Sequence, residues 1–499
     1  MKVKRLHLQN YGRFEDLKID FAPTSEKAGN VTVIVGNNGA GKSQILQALA
    51  TSLSWFIGYL RNGKVSGFAI EESSIKNNKN DVLAEITTDF GSHNYISLFN
   101  EDGYTRWQLS SVREGRNSSF EDKLFELESV VQKYRKYLTQ EDSYSLPLLV
   151  FYPVERSNYE NKNTAMLSRH FEQLKGYFAS LDGARIDFSD FIQWFRNEED
   201  IENETKNLNY NSEDMQDKIK YLMKDLSSLS NKVSQTKDPK EFELLKNRVQ
   251  EYLVEVSELQ EKFQSYSRNS EYQARRILSP IRESITRFTN FENIRIRRQG
   301  TPTMIVEKDG EELDVNQLSQ GEKSLLALVG DIARRLTLLN PSLDNPLEGE
   351  GVVMIDEVDL HLHPKWQHDL IDKLVATFPN VQFILTTHSP HVISDRNDLL
   401  LYSLDDGELT EMPNVYGEDA NTVLTKIFDV DIRDSKVEEQ FNVIRRAISK
   451  HDYVTAENCI TELAEKLPSD HLELLKCRLL LAQSKLVNNN TDESSHAKD

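Results

Sequence analysis

The sequence predicts an α/β fold: a head of largely parallel strands, interrupted by an antiparallel coiled-coil hairpin and followed by a helical C-terminal region. Three observations predict it. Short apolar runs at residues 31–35, 352–355 and 383–385 each end in a polar segment rich in Gly, Asp, Glu, Thr or His, as strands buried on both faces do. Residues 201–275 turn polar, lose glycine altogether and carry apolar residues at heptad steps. Beyond about Tyr416 the spacing becomes helical.

The elements follow in order. KVKRLHLQ and LKIDF alternate about Asn10-Tyr11-Gly12 and read as a strand pair rather than a signal peptide. VTVIV is a short buried strand, GNNGAGKS a loop, and Ile45, Leu46, Leu49, Leu53 and Phe56 mark one face of the next helix. Strands are expected at VLAEITTDF and NYISLFN, a charged helix from about Glu121 to Tyr137, and a strand in LPLLVFYPVERS stopped at Pro153. Met215, Ile219, Leu222, Leu226, Leu229 and Val233 form one heptad run; Phe242, Leu245, Val249, Tyr252, Val256, Leu259 and Phe263 form a second, past a turn at Asp238-Pro239. Each arm would reach ~30–40 Å at ~1.5 Å per residue. IRIRR and TMIVEKDGEEL read as a strand pair, LSQGEKS as the start of a helix through Leu339, and GVVMIDEVD and VQFILTTHS as strands separated by a helix ending near Phe378. The expected organisation is two lobes of the head, 1–200 and 276–415, around a hairpin at 201–275, then a helical docking region at 416–487 and a disordered tail at 488–499.

Composition narrows the function. Of 499 residues, 38% are hydrophobic and 28% charged, and the longest apolar stretch is broken by Gln47, Thr51, Ser52 and Ser54, too short to span a membrane. Two cysteines, Cys459 and Cys477, sit in apolar helical patterns, which points to a reducing cytoplasm. A net charge of −20 argues against indiscriminate coating of nucleic acid. A local basic region remains a candidate for direct nucleic-acid contact: Arg268, Arg275, Arg276, Arg282, Arg287, Arg295, Arg297 and Arg298, opposed in sequence by Glu271, Glu283 and Glu292.

The chemistry is carried by four segments. Gly36-Asn37-Asn38-Gly39-Ala40-Gly41-Lys42-Ser43 is a complete G-x-x-x-x-G-K-S between a strand and a helix. Its backbone N–H groups can converge on phosphate, with Lys42 at the β/γ-phosphates and the Ser43 hydroxyl on Mg²⁺. Val352-Val353-Met354-Ile355 ends in Asp356 and Glu357, placing two carboxylates at a sheet edge: Asp356 for magnesium, Glu357 for the attacking water. His388 closes a third strand as a γ-phosphate contact. Ser319, Gly321 and Glu322 open a helix whose N–H groups also suit a phosphate. His361-Leu362-His363-Pro364 reads as a loop entering a helix at Pro364 rather than a metal site.

Together these segments resemble the ATP-binding-cassette superfamily, which implies ATP and Mg²⁺ as ligands and ATP hydrolysis as the activity. The resemblance implies that Ser319 and Gly321 cap a nucleotide held by a second copy, with Asp359 also facing that copy, so that a homodimer or higher homo-oligomer is required. Lys42 and Ser319 stand 277 residues apart with a hairpin between, which is similar to the SMC/RecF/OLD-like branch. Leu360-His361-Leu362-His363-Pro364 and Thr387-His388-Ser389-Pro390 look like the Septu-type anti-phage ATPases that also accompany some retrons. That likeness implies an HNH nuclease partner and, in retrons, a reverse transcriptase with its DNA. The alternatives are a RecF-like repair ATPase acting directly on DNA, and an ATP-binding scaffold with little turnover.

Departures from the family pattern are two. The strand ending Phe151-Tyr152-Pro153-Val154-Glu155-Arg156 lacks the glutamine expected of a Q-loop; Arg156 is the candidate substitute. Tyr11 and Arg13 are alternative contacts to adenine or phosphates. The nuclease domain of OLD relatives has no counterpart after His388, and Asp429-Val430-Asp431 reads as a loop or cap, so the chain is not expected to cut nucleic acid itself.

Overall fold

The chain opens with an antiparallel pair, β1 (Lys2–Tyr11) and β2 (Phe14–Asp20), turned where Asn10 and Gly12 take positive φ. β3 (Val31–Gly36), every residue buried, leads into α1 (Lys42–Asn62). β4 (Asp81–Asp89) and β5 (Thr105–Val112) complete an antiparallel sheet in the order β2-β1-β4-β5. α2 (Phe125–Gln140) and β6 (Leu148–Tyr152) follow, the helix starting four residues later than expected. This is a computed structural model, and it describes residues 1–91, 103–140, 144–154, 173–183, 188–235, 238–269, 271–300, 302–428, 435–468 and 471–495. The strand expected at NYISLFN, Arg156 and Asp429-Val430-Asp431 lie outside the described residues.

α3 (Phe188–Gln235) and α4 (Pro239–Asn269) are two long helices close in sequence, and α5 (Glu271–Thr289) returns the chain to the head. α4 folds back along α3, with Lys218 Nζ 3.1 Å from Glu255. Leu222 and Val256, both heptad positions, are the buried points of contact; Ile219, Leu226, Leu229, Leu245, Val249, Tyr252 and Leu259 are half-buried, and Phe242 is exposed. The heptad positions described are the less exposed ones of the two helices, Phe242 excepted; Met215 and Phe263 lie outside the described side chains, and α3 begins at Phe188 rather than 201. β7 (Glu292–Arg297), β8 (Thr303–Lys308) and β9 (Glu311–Asp314) form a small antiparallel sheet.

The acids that meet the basic region are mostly not its sequence neighbours, Glu283 being the exception. Arg282 meets Glu199 and Glu202 of α3 at 3.0 and 2.9 Å, and Arg298 meets Glu199 and Asp200 at 3.0 and 2.7 Å. Arg295 pairs with Glu312, Arg297 with Asp314 at 3.6 Å, and Arg287 with Glu283 at 3.0 Å. Each of these five guanidinium groups already faces a carboxylate, which cancels most of the field a phosphate backbone would feel. The side chains of Arg268, Arg275 and Arg276 lie outside the described residues.

α6 (Gln320–Leu339) precedes β10 (Gly351–Ile355); α7 (Pro364–His368) and α8 (Leu370–Thr377) lead to β11 (Val381–Thr386). His363 caps α7, its Nδ1 accepting from the Lys365 N–H at 3.2 Å with Pro364 at the first helical position, as the loop-into-helix reading expects. A short α9 (Pro390–Ile393) then gives way to a hairpin, β12 (Leu400–Asp405) and β13 (Glu408–Glu411), turned on Asp406-Gly407. The second sheet runs β13-β12-β3-β11-β10-β6, parallel except for β13.

Residues Met1–Glu418 form one compact unit and Asp419–Asp499 another. The second contains α10 (Ala420–Ile427), α11 (Ser435–Ser449), α12 (Tyr453–Lys466) and α13 (Leu472–Ser495), the last three packed around Phe441, Ile444, Ala456, Leu463, Leu474 and Cys477. Neither cysteine forms a disulfide, and Cys477 lies within this core with Cys459 packed against it. The tail expected to be disordered from 488 continues α13 as helix through Ser495. Among the described residues no helix is long and apolar enough to cross a membrane.

Candidate functional site

Because β3, β11, β10 and β6 are parallel neighbours, their C-terminal ends share one edge of the sheet. In register, Ile34 pairs with Thr386, Leu385 with Ile355, and Ile355 with Tyr152. The residues that follow these ends are the phosphate loop, His388, Asp356 with Glu357, and Pro153. Segments separated by more than 300 residues in sequence thus converge where open α/β sheets collect ligands.

The loop is shaped by its glycines. Gly36, Gly39 and Gly41 have φ of 148°, 78° and 113°. A Cβ on Gly36 would stand 2.1 Å from the Leu404 carbonyl oxygen of β12, so neither the conformation nor the space admits another residue. Gly41 caps α1 with no side-chain hydrogen bond, leaving the helix start to backbone N–H groups. Asn37, Asn38 and Ala40 complete the loop, whose Ala40 N–H donates to the Asn37 carbonyl at 3.1 Å. Lys42 is buried and turns back over it, Nζ donating to the carbonyls of Gly36 at 2.8 Å and Asn37 at 3.0 Å. Burial pulls the Lys42 amine below its ordinary pKa, opposed by Asp356, Glu357 and Asp359. Lysine and all three acids therefore share one electrostatic site.

Two threonines of the β11 end set these acids. Thr386 Oγ1 donates to Asp356 Oδ1 at 2.5 Å and accepts the Glu357 N–H at 2.8 Å, tying both acids to the neighbouring strand. Glu357 takes φ 46°, a left-handed backbone that a glutamate adopts only when its surroundings hold it there. Thr387 Oγ1 donates to Asp359 Oδ1 at 2.5 Å, and the His388 N–H approaches the same oxygen at 3.4 Å. Asp359 is thus half-buried and anchored within its own chain. Burial and then the Lys42 charge push the His388 imidazole below its ordinary pKa, with Asp359, Glu357 and Asp356 opposing. The threonines were quoted in the sequence but given no role, since their work depends on cross-strand register.

A cleft of about 960 Å³ adjoins this edge, lined among others by Ser43, Gln47, Phe151, Pro153 and Asp356. A hydroxyl and a carboxylate opening onto one cleft beside a phosphate loop form the hard-oxygen donor set that Mg²⁺ takes, so the residues fit the metal and the nucleotide. Of the two alternatives for an adenine or phosphate contact, Tyr11 is buried and bonded to Ser74, whereas Arg13 is exposed and its guanidinium lies beside Gly39. Tyr11 lines the cleft, and Arg13 stands beside the phosphate loop.

Ser319 begins α6 in a capping box. Its hydroxyl and its N–H both donate to Glu322 Oε2, at 2.7 and 2.8 Å, while Lys308 Nζ donates to Glu322 Oε1 at 2.7 Å. Burial alone would raise the Glu322 carboxyl; Lys308 and Ser319 together hold it below the usual range. A Cβ on Gly321 would meet the His361 carbonyl oxygen at 2.5 Å, so the start of α6 lies against the loop that follows the two acids.

Residues 1–393 match the family described as AAA ATPase domain. The chain is 34% identical over 441 residues to the Retron Ec83 probable ATPase of Escherichia coli, covering 86% of this chain and 76% of that one. It is 35% identical over 406 residues to the Retron Vc95 probable ATPase of Vibrio cholerae, covering 79% and 71%. A shorter likeness, 38% over 95 residues, joins it to the Septu protein PtuA of Bacillus mycoides, covering 19% and 12%. By the extent of that match and of these identities, the chain belongs to the AAA ATPase domain family.

Proposed function

We propose that this chain is the ATP-hydrolysing subunit of a bacterial anti-phage defence complex, in which two copies close around ATP and thereby govern a separate HNH-type nuclease. One observation carries the reading: a single sheet edge gathers Lys42, Asp356, Glu357 and His388 around a phosphate loop, in a chain whose extended relatives are retron ATPases. A retron reverse transcriptase with its DNA is the further partner those relatives imply. The α3–α4 pair serves as a short coiled-coil hairpin, and the helices after Asp419 as the docking module.

In this reading Lys42 exchanges the Gly36 and Asn37 carbonyls for the β- and γ-phosphates. Ser43 and Asp356 hold Mg²⁺, which, when bound, neutralises charge developing on the phosphates. Glu357, with its backbone fixed by Thr386, orients the attacking water and takes its proton. The His388 ring donates to the γ-phosphate. Ser319 gives up its bond to Glu322 and caps the nucleotide of the other copy, with Gly321 allowing close approach.

Thr386→Val, nearly isosteric, removes the hydroxyl shared by Asp356 and Glu357. ATP turnover is expected to fall about tenfold or more, the order of one lost hydrogen bond to a buried charge, with little change in melting temperature. Wild-type turnover in Thr386→Val would detach the threonine from the chemistry. The defence reading itself is tested by purifying the native operon's complex and assaying DNA cleavage with wild-type and Glu357→Gln subunits. Cleavage that responds to the substitution supports it; a complex without a nuclease, or cleavage indifferent to the substitution, overturns it.

A further inference from the structure

Tyr152, the last residue of β6, holds two parts of the head at once. Its carbonyl accepts the Asp356 N–H at 2.9 Å, fixing the start of the acid pair. Its hydroxyl, fully buried, donates to Asp331 Oδ2 of α6 at 2.9 Å. Asp331 is also gripped by Arg335 Nε at 2.6 Å and Arg334 Nη2 at 2.5 Å, and Arg335 extends to the carbonyls of Gly176 and Phe178 at 2.8 and 2.9 Å. Burial alone would raise the Asp331 carboxyl, but Arg335 and Arg334 pull it well below the usual range, while burial and Asp331 push the Tyr152 phenol well up. Tyrosine therefore always donates and aspartate always accepts at any working pH.

The same helix begins at Ser319, twelve residues before Asp331, or ~18 Å of rigid helix. α6 is also fastened to the root of α3: a Cβ on Gly330 would meet the Phe191 ring at 2.6 Å, and Arg334 lies over the Trp194 ring at 5.8 Å. A helix held this tightly moves as a body rather than bending. Through Asp331 and Arg335, α6 is hydrogen-bonded to Tyr152 at the end of β6, the strand beside the one that ends in the acids.

We propose that Tyr152, Asp331 and Arg335 are positioning residues that lock Asp356, in a chain's own nucleotide site, to Ser319, which serves the other copy's nucleotide. A change at the strand end of one site then reaches the capping serine of the other. The inference rests on the shared-site reading and adds to it the physical link between the two sites.

Mixed dimers separate the two. Purified dimers of one Lys42→Ala chain and one Ser319→Arg chain contain a single working site, made of the second chain's phosphate loop and the first chain's Ser319. Adding Tyr152→Phe to the Lys42→Ala chain is expected to lower turnover of that site about fivefold to tenfold, as one lost hydrogen bond to a buried charge would, with KM for ATP unchanged. The substituted chain holds no working phosphate loop, so a merely local role for Tyr152 moves nothing. Turnover that falls only when Tyr152→Phe sits on the Ser319→Arg chain overturns the link. A parent mixture without turnover instead overturns the shared site, and the link with it. The melting temperature of Tyr152→Phe dimers, expected to lie within a few degrees of the parent, checks the fold; a loss of turnover matched by a collapse of melting temperature counts against positioning.

Discussion

Glu357→Gln is expected to lower steady-state ATP hydrolysis by about two to three orders of magnitude while leaving ATP binding intact. The substitution preserves shape and removes only the ability to take a proton. Glu357 follows Asp356 at the end of β10, in a left-handed backbone secured by Thr386, and neither feature depends on its side-chain charge. Asp356, Lys42 and Ser43 remain in place for the nucleotide. Size-exclusion chromatography with ATP should then show a persistent dimer that wild type forms only transiently. Hydrolysis at the wild-type rate would remove Glu357 from the role of base.

Lys42→Ala is expected to act one step earlier and to weaken ATP binding about a hundredfold, read by titration with a fluorescent ATP analogue. Lys42 is buried, and its amine is the cation on which all three acids act, so its loss leaves Asp356, Glu357 and Asp359 facing phosphate without compensation. Ser319→Arg should differ: a bulky cation at the start of α6 blocks capping, so turnover is lost while binding to the chain's own loop is retained. If both substitutions weakened binding equally, Ser319 would belong to the nucleotide site of its own chain.

Much of the head was legible because buried parallel strands write themselves as uninterrupted apolar runs. VTVIV, GVVMI and VQFIL became β3, β10 and β11, and each ended in the loop, the acids or the histidine named from sequence. Ser319 opens α6 where the sequence placed the helix start, and it does so in a capping box with Glu322. Other features left weaker traces. The β12–β13 hairpin turns on Asp406-Gly407, a usable signal that was passed over beside the stronger helical pattern after Tyr416. α13 runs on through a string of asparagines, which read as a tail because polar helix carries no apolar stripe. The acids that neutralise Arg282 and Arg298 lie on α3, some eighty to a hundred residues earlier, where no local count finds them. Thr386 and Thr387 acquire their roles only from the alignment of β11 with β10, a relation between strands that sequence order does not contain.

The account depends on each nucleotide being shared between copies, Lys42 from one and Ser319 from the other. Mixing Lys42→Ala with Ser319→Arg chains tests that most directly, by ATP hydrolysis of dimers purified on two different tags. Each parent alone should be nearly silent, whereas the mixture should regain about one working site per dimer, roughly half the wild-type rate. A mixture as silent as its parents would contradict the shared site and return both residues to a single chain.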